Sequence, residues 1–266
     1  MDLTGKYIES IFPRNREMVI DVVELGLLKH HVQGLAEIDV TLAREYIHKY
    51  KEKTGNRISF TGWVAKCISQ AVNENKQIHA LRKGKKKVII FDDVDILITI
   101  EKVQNGEKIP LPYVIRKANE KSLMEINNEI RNAQILETEN NMVIGRNDSW
   151  LKLYQSTPKF LRKIIRHKVM KGPFIVKKNA GTVGISSIGM MGNFRGWMMP
   201  ISPLPLHFAI GTITKKPGVI GDNIEIREYL GVSFLFDHDI IDGAPAAKFI
   251  ERLIDLMENA FELTTI

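Results

Sequence analysis

The sequence has a single cysteine, no long hydrophobic run and none of the common secretory signals. Cys67 cannot form an intramolecular disulfide, and the apolar segment around it predicts the buried face of a helix. The N-terminus lacks a basic stretch followed by an apolar one, and no apolar segment reaches the roughly 18 to 20 residues that a bilayer requires. We therefore expect a cytoplasmic protein without a disulfide framework.

Motifs for metal and nucleic-acid binding are also missing, since neither zinc-finger spacing, an RNP-type aromatic motif nor a basic heptad region occurs. Positive charge is abundant: 38 lysines and arginines against 31 acidic residues give a formal charge of +7. That charge suits an anionic membrane or a phosphate-bearing small molecule as well as nucleic acid. We expect no metal and no nucleic-acid partner.

The composition is that of an ordinary globular protein, with 44% hydrophobic and 26% charged residues in a chain of 266. This is enough sequence for one large core, so we predict a single domain over residues 1–266.

Apolar periodicity predicts helices and strands that mix without regular alternation. Strands are predicted at 34–41, 87–91, 94–101, 182–186, 208–213 and 229–236. Helices are predicted at 42–53, with Thr41 as N-cap and Gly55 as stop signal, at 61–75, at 122–137 behind a Ser122–Glu125 capping box, and at 244–261. The fold class is therefore α/β (α+β), with a mixed β-sheet flanked by helices.

One segment, residues 150–178, interleaves aromatic and aliphatic residues with basic ones such as Arg162, Lys163 and Arg166. This pattern predicts a basic amphipathic insertion. Two interpretations stay open. The segment is either a surface helix with a solvated basic face, or a docking element for an anionic membrane surface or an acidic partner.

A histidine stands where a β-branched and aromatic run ends and the chain turns into a helix. His238 follows the predicted strand 229–236, Asp242 comes four residues later, and Gly243 suits the turn. A neutral imidazole takes a proton from a thiol or hydroxyl and later returns it to a leaving group. For an isolated histidine at such a place, a structural turn residue is the better explanation.

The segment His238–Ala244 resembles the H-x-x-x-D-G signature of the dihydrolipoamide acyltransferases of 2-oxo acid dehydrogenase complexes, a family related to chloramphenicol acetyltransferase. Asp237 precedes the histidine as in the family's pattern. A second block, Gly181–Met190, is similar to the family's G-T-F-T-I-S-N-L-G-M. Weaker similarity extends the resemblance over about residues 31–260.

The resemblance implies a chloramphenicol acetyltransferase-like two-layer sandwich that transfers an acyl group between a coenzyme A thioester and a thiol, hydroxyl or amine acceptor. It implies a homotrimer with sites between subunits, in which His238 is the general base and Ser186 of the next subunit donates to the oxyanion. Asp242 would pair with an N-terminal arginine, Arg14 or Arg16, although a helix N-cap role also fits. The C-terminal residues 260–266 resemble the tail that joins relatives into larger multiples of three.

Coenzyme A is expected to meet Ser187, Lys177 and Lys178, because ammonium groups pair well with phosphate oxygens. For the lysines, a solvated loop is an equal alternative. The chain departs from the family by Asp239 in place of Arg and by Gly184 in place of Thr. With no lipoyl domain ahead of residue 31, a lipoyl acyl carrier would have to be supplied by another chain. The competing interpretation is a non-catalytic trimeric scaffold that keeps the fold.

Overall fold

In the computed structural model, the described residues are 4–13, 15–104, 107–135, 156–158, 160–162, 164–165, 172–187, 189 and 195–266. Their helices are α1 (Asn15–Gly26), α2 (Thr41–Thr54), α3 (Phe60–Glu74), α4 (Leu123–Ile135), α5 (Pro173–Ala180) and α6 (Gly243–Glu258). Their strands are β1 (His31–Asp39), β2 (Leu81–Lys83), β3 (Lys87–Ile89), β4 (Ile96–Gln104), β5 (Glu107–Ile115), β6 (Val183–Ser187), β7 (Leu206–Ile220) and β8 (Asn223–Asp237).

Six of these strands form a mixed sheet in the order β1-β8-β7-β6-β4-β5. β6 runs parallel to β4 and to β7, and the other neighbours are antiparallel. The main core lies between one face of this sheet and helices α2, α3, α4 and α6. The sequence prediction of a mixed sheet flanked by helices is confirmed.

Sequence signals at the helix ends account for much of the helical layer. Glu125 accepts the backbone N–H of Ser122 at 2.7 Å while Ser122 Oγ accepts the Glu125 N–H at 3.3 Å, so the predicted capping box forms. Gly55 ends α2 in the left-handed region with φ of 73°. Thr41, predicted as N-cap, is instead the first residue of α2, and its hydroxyl donates to Asp39 Oδ1. Cys67 is fully buried in α3, as predicted, and burial raises the pKa of its thiol.

β5 and the outer part of the β7–β8 hairpin escaped the sequence patterns for identifiable reasons. β5 carries Pro110 and Pro112, which normally argue against a strand. It tolerates them because it lies at the edge of the sheet, where a proline need not leave a neighbouring strand unpaired. β7 and β8 continue as a long hairpin over residues 214–229, well past the predicted strand limits.

The prediction of a solvated basic face in residues 150–178 is wrong for Arg162. Its side chain is 7% exposed, and its guanidinium contacts Glu17 at 2.6 Å and Asp21 at 3.7 Å in α1. Burying a charge is costly unless an opposite charge lies beside it. The contacts of Arg162 with Glu17 and Asp21 therefore hold its segment against α1. The other predicted basic residues, Lys163 and Arg166, lie outside the described residues. No helix among the described residues is long and apolar enough to cross a bilayer.

The C-terminal residues fold back on the core. Leu263 is fully buried, and Trp63 Nε1 donates to the carbonyl of Phe261 at 3.1 Å. Ile266, at the end, is 44% exposed. Thus only the last part of the predicted assembly tail presents an apolar side chain to solvent.

Candidate active site

His238 lies just beyond β8, at the position that the sequence predicted. Its backbone N–H donates to the carbonyl of His30 at 2.9 Å, which ties the turn to the start of β1. The imidazole is 48% exposed, and its Nδ1 lies 3.8 Å from Asp242 Oδ1. The ring is therefore held at its base and open to a reactant on its outer side.

The residues flanking His238 are fixed by charge pairs. Asp237 is buried and accepts Lys29 Nζ at 2.6 Å. Asp239, where the family usually carries arginine, contacts His30 Nδ1 at 2.9 Å and Arg82 Nη1 of β2 at 3.3 Å. The His30 hydrogen bond and the Arg82 charge hold the pKa of Asp239 below its usual range. A cation beside the turn that carries His238 is thus supplied from β2 rather than by residue 239.

Asp242 occupies the N-cap position of α6, but its side chain makes no capping hydrogen bond and is 89% exposed. Of the two arginine partners predicted for it, Arg14 lies outside the described residues, and no described contact joins Arg16 of α1 to Asp242. The ion-pair role of Asp242 stays a prediction.

Ser186 lies near the end of β6, on the face of the sheet opposite the helices, because its neighbour Ile185 belongs to the main core. Its Oγ is 3.0 Å from Nε2 of His207 in β7. His207 Nδ1 in turn lies 2.8 Å from Ser202 Oγ. The sequence analysis missed His207. The glycine at position 184, where the family usually has threonine, was a signal for it. A Cβ on Gly184 would lie 2.3 Å from His207 Nδ1, so only glycine leaves room for the ring.

Ser187 points to the other face. It lines an open cavity of about 410 Å³ with Arg44, Phe60, Thr61 and Ile210. This cavity is mostly apolar and has one guanidinium at its wall, a composition that accepts a thioester arm with a polar end. The coenzyme-binding role of Ser187 stays a prediction.

Lys177 and Lys178 differ in their surroundings. They lie in the last turn of α5 rather than in a loop. Lys177 Nζ contacts Asp95 Oδ2 at 3.1 Å and the carbonyl of Asp93 at 2.7 Å, whereas Lys178 is exposed. A phosphate would therefore compete with a buried carboxylate for Lys177, whereas no described side chain competes for the ammonium of Lys178. The coenzyme-phosphate role of these lysines stays a prediction.

The strand register separates Ser186 from His238 within one chain. Ser186 pairs with Ala209, Ala209 pairs with Ser233, and His238 follows Ser233 by five residues. At about 3.3 Å per residue and about 4.8 Å between strands, their Cα atoms lie roughly 16 Å apart along the strands and about 10 Å across them. From these positions, Ser186 and His238 of one chain cannot contact the same carbonyl group at the same time.

Two histidines near the sheet are buried and neutral. Burial is the main cause that lowers the pKa of His79 and of His207 to about 4, and the nearby His31 contributes to the shift of His207. His79 Nε2 donates to the carbonyl of Phe91 at 3.1 Å, and its Nδ1 accepts from Thr182 Oγ1. Protonation of either ring would place a positive charge in a buried site.

These histidines predict acid sensitivity well above the range where carboxylates titrate. Their folded-state pKa is below the unfolded value of about 6.5, so the unfolded chain binds protons first. The stability they allow is present above about pH 6.5 and falls by roughly 1.4 kcal/mol per pH unit for each histidine between about pH 6.5 and 4. Urea unfolding at pH 7.5, 6 and 5 measures this slope.

Replacing the exposed His48 with Gln should leave that slope unchanged, whereas His79→Gln should reduce it. A free energy of unfolding that does not change between pH 7.5 and 5 would show that the two rings are not neutral and buried.

Comparison with known proteins identifies the fold and the family. The model of the 2-oxoacid dehydrogenases acyltransferase (catalytic domain) matches residues 27–143 and 177–265. The dihydrolipoyllysine-residue acetyltransferase component of the pyruvate dehydrogenase complex of Rickettsia conorii is 25% identical over 219 residues, which cover 81% of this chain and 44% of that protein. The chain spans about half the length of the curated relatives that it matches.

Solved structures agree over nearly the whole chain. The dihydrolipoamide acetyltransferase of Azotobacter vinelandii superposes with a TM-score of 0.70 at 20% identity, covering 99% of this chain and 96% of that one. The cubic core of the pyruvate dehydrogenase multienzyme complex gives 0.70 at 19% identity, with coverage of 99% and 96%. Chloramphenicol acetyltransferase gives 0.53 at 13% identity, with coverage of 94% and 100%.

The likeness to these structures confirms the chloramphenicol acetyltransferase-like fold that the sequence predicted. The predicted basic insertion at 150–178 lies almost wholly between the two matched blocks. Because those two blocks make up most of the sequence, the chain belongs to the family of 2-oxoacid dehydrogenase acyltransferase catalytic domains.

Proposed function

We propose that this chain transfers acyl groups between coenzyme A and a thiol, with His238 as general base and Ser186 as oxyanion donor. The spacing of these residues carries the proposal. In the Azotobacter vinelandii acetyltransferase, a serine, a histidine and an asparagine were investigated for their role in the catalytic mechanism. That serine lies 52 positions before the histidine, and the asparagine lies four positions after it. Ser186 precedes His238 by the same 52 positions, and Asp242 follows it by four.

The chemistry follows from the two side chains. The neutral imidazole of His238 takes the proton of the attacking thiol, and the thiolate forms a bond to the thioester carbonyl carbon. The carbonyl oxygen becomes an oxyanion, which accepts the hydroxyl proton of Ser186 in a hydrogen bond. Collapse breaks the original carbon–sulfur bond, and the imidazolium returns its proton to the departing thiolate. The step is reversible and consumes no other reactant.

The separation of about 16 Å along the strands supports a site made by two chains. Since His238 and Ser186 of one copy cannot share a carbonyl, His238 of one copy would face Ser186 of the next. A heterologous contact of this kind closes into a ring, and a homotrimer repeats it three times. Larger multiples of three would bury further surface, for which the exposed Ile266 is available.

Exposed apolar side chains support such an assembly. Tyr7, Ile8 and Ile11 of the N-terminal segment are 73%, 95% and 93% exposed, and Ile224 and Ile226 of the β7–β8 hairpin are 78% and 77% exposed. Clusters of this kind on a folded chain mark contact surfaces for protein partners. A second copy of the chain is the partner that would also complete the catalytic pair.

A dihydrolipoyl thiol is the acceptor that fits the relatives, which are dihydrolipoyllysine-residue acyltransferase components. In this proposal it is carried by a separate chain, and the cavity beside Ser187 receives part of the coenzyme. Release of coenzyme A thiol from acetyl coenzyme A in the presence of free dihydrolipoamide measures the reaction. A panel of hydroxyl and amine acceptors gives the specificity. The proposed activity would be contradicted if coenzyme A were released with neither dihydrolipoamide nor any acceptor of the panel.

Mixed assemblies test the site between subunits. His238→Ala and Ser186→Ala should each be nearly inactive alone, yet chains carrying one or the other should regain activity when assembled together. With random mixing in equal amounts, about a quarter of the interfaces would join an intact histidine to an intact serine. Coenzyme A release after co-expression and purification of the mixed assembly is the measurement.

The matched control mixes His238→Ala with the double variant His238→Ala/Ser186→Ala, in which every interface lacks the histidine. Recovery in the first mixture alone supports two-chain sites. No recovery in either, with mixed assembly verified by two affinity tags, would place both residues in one chain or in separate roles.

A further inference from the structure

The environment of Ser186 contains a hydrogen-bonded chain that the two family motifs do not include. His207 lies directly across from Gly184 in the parallel pairing of β6 and β7. Its imidazole joins Ser186 Oγ, 3.0 Å from Nε2, to Ser202 Oγ, 2.8 Å from Nδ1. The backbone N–H of Leu204 donates to the same Ser202 Oγ at 3.2 Å. Ser202 and His207 are 1% and 9% exposed, so water does not compete for the contact between these two side chains.

The space for the ring exists because residue 184 has no side chain. A Cβ there would lie 2.3 Å from Nδ1 and 2.7 Å from Cε1 of His207, closer than any packed carbon contact allows. The family usually has threonine at this position, whose side chain would occupy the ring's place. Gly184 and His207 are therefore a matched pair, and together they place an imidazole next to the serine.

The chain has one direction that satisfies each group. The imidazole is neutral, because burial lowers its pKa to about 4, so one ring nitrogen carries a proton and the other accepts. Ser202 Oγ receives the Leu204 N–H and has its own proton to donate to Nδ1. Nε2 then carries the ring proton and donates to Ser186 Oγ. The hydroxyl proton of Ser186 is left free to point away from the sheet.

We propose that His207 is a positioning residue of the acyl-transfer site, which as the Nε2–H tautomer donates to Ser186 Oγ and directs the serine proton toward the oxyanion. The inference rests on the proposed acyl-transfer function. A donated hydrogen bond also polarises the hydroxyl, which makes it a stronger donor to the developing negative charge. In the opposite tautomer, the hydroxyl of Ser186 would donate its proton to Nε2 of the ring and could not donate it to the oxyanion.

Kinetics of a double-mutant cycle test the coupling. His207→Phe, which keeps the ring shape without the nitrogens, should lower kcat about tenfold to a hundredfold with little change in KM for acetyl coenzyme A, within the loss of roughly 10² to 10³ expected for an oxyanion donor. In a Ser186→Ala background the same change should have less than about a twofold effect. His207→Gln, whose amide N–H reaches the position of Nε2–H, should recover part of the rate.

Gly184→Ala alters neither Ser186 nor His207 but displaces the ring, so it should reproduce the loss of kcat. His79→Gln is the matched control, since it changes another buried histidine that has no contact with Ser186 among the described hydrogen bonds. It should lower thermal stability without lowering kcat at a temperature where the protein is folded. Equal losses from His207→Phe in the wild-type and Ser186→Ala backgrounds would mean a purely structural role and would overturn the inference.

Nitrogen-15 chemical shifts of the His207 ring test the tautomer without any assay of activity. The wild-type protein at neutral pH should show a protonated Nε2 and an unprotonated Nδ1, and Ser202→Ala should weaken that preference. A protonated Nδ1, or a doubly protonated ring, would overturn the inference. An inactive wild-type protein with the expected tautomer would instead count against the proposed function alone.

Discussion

Replacing His238 with alanine should lower kcat for acyl transfer from acetyl coenzyme A by roughly 10² to 10⁴, the contribution expected of a general base. The imidazole is half exposed and its described side-chain contact is the 3.8 Å approach to Asp242, so its removal leaves no buried group unpaired. The free energy of unfolding and the oligomeric state should therefore stay close to those of the wild type. Steady-state release of coenzyme A, with urea unfolding and light scattering on the same preparation, measures all three.

His48→Ala is the matched control, because His48 is an exposed histidine on α2 and not in the turn that carries His238. It should retain wild-type turnover. A His238→Ala protein that is folded and turns over at the wild-type rate would remove His238 from the mechanism. A loss of activity that only follows a loss of folded protein would assign it a structural role.

Replacing Asp95 with alanine should have the largest effect on stability, about 3 kcal/mol or more in the free energy of unfolding. Its carboxylate is 6% exposed and meets Arg116 Nη1 at 2.9 Å, Lys177 Nζ at 3.1 Å and the Lys117 N–H at 2.9 Å. Burial alone would raise the pKa of Asp95, but the Lys117 N–H, Arg116 and Lys177 together lower it. Removing the carboxylate leaves the ammonium of Lys177 poorly solvated and uncompensated.

The same change should loosen α5. The guanidinium of Arg116 also donates to the carbonyls of Lys177 and Lys178 at 2.8 and 2.6 Å, so it caps the end of that helix, and Asp95 holds it in place. Amide hydrogen exchange in residues 173–180 should accelerate in Asp95→Ala more than exchange in α3. Asp92→Ala, which removes a carboxylate that is 92% exposed, is the matched control and should leave the melting temperature unchanged. Equal melting temperatures for Asp95→Ala and wild type would contradict this account.

The sequence by itself determined the features that depend on neighbours along the chain. The capping box at Ser122 and Glu125 forms from residues three apart, and Gly55 ends α2 through its own backbone angles. The turn that carries His238 was recognised from one contiguous segment. Such local signals are decided within a few residues, so they survive whatever the rest of the fold does.

Charge and hydrophobicity along the chain were a poorer guide wherever a residue finds its partner far away. Arg162 has the sequence context of a solvated basic face, yet Glu17 and Asp21, some 140 positions earlier, bury it. β5 contains two prolines and is a strand because it lies at the sheet edge. Neither outcome is encoded within the window of residues that a periodic pattern covers.

The tertiary structure alone decided how the candidate catalytic residues lie relative to one another. The register of β6 against β7 places His207 beside Gly184 and Ser186, and the register of β7 against β8 separates Ser186 from His238 along the sheet. Pairing register depends on the packing of whole strands, because a shift of one residue would turn every side chain to the opposite face. The motifs therefore identified His238 and Ser186 separately, whereas the sheet decided that they lie roughly 16 Å apart along the strands within one chain and that His207 lies beside the serine.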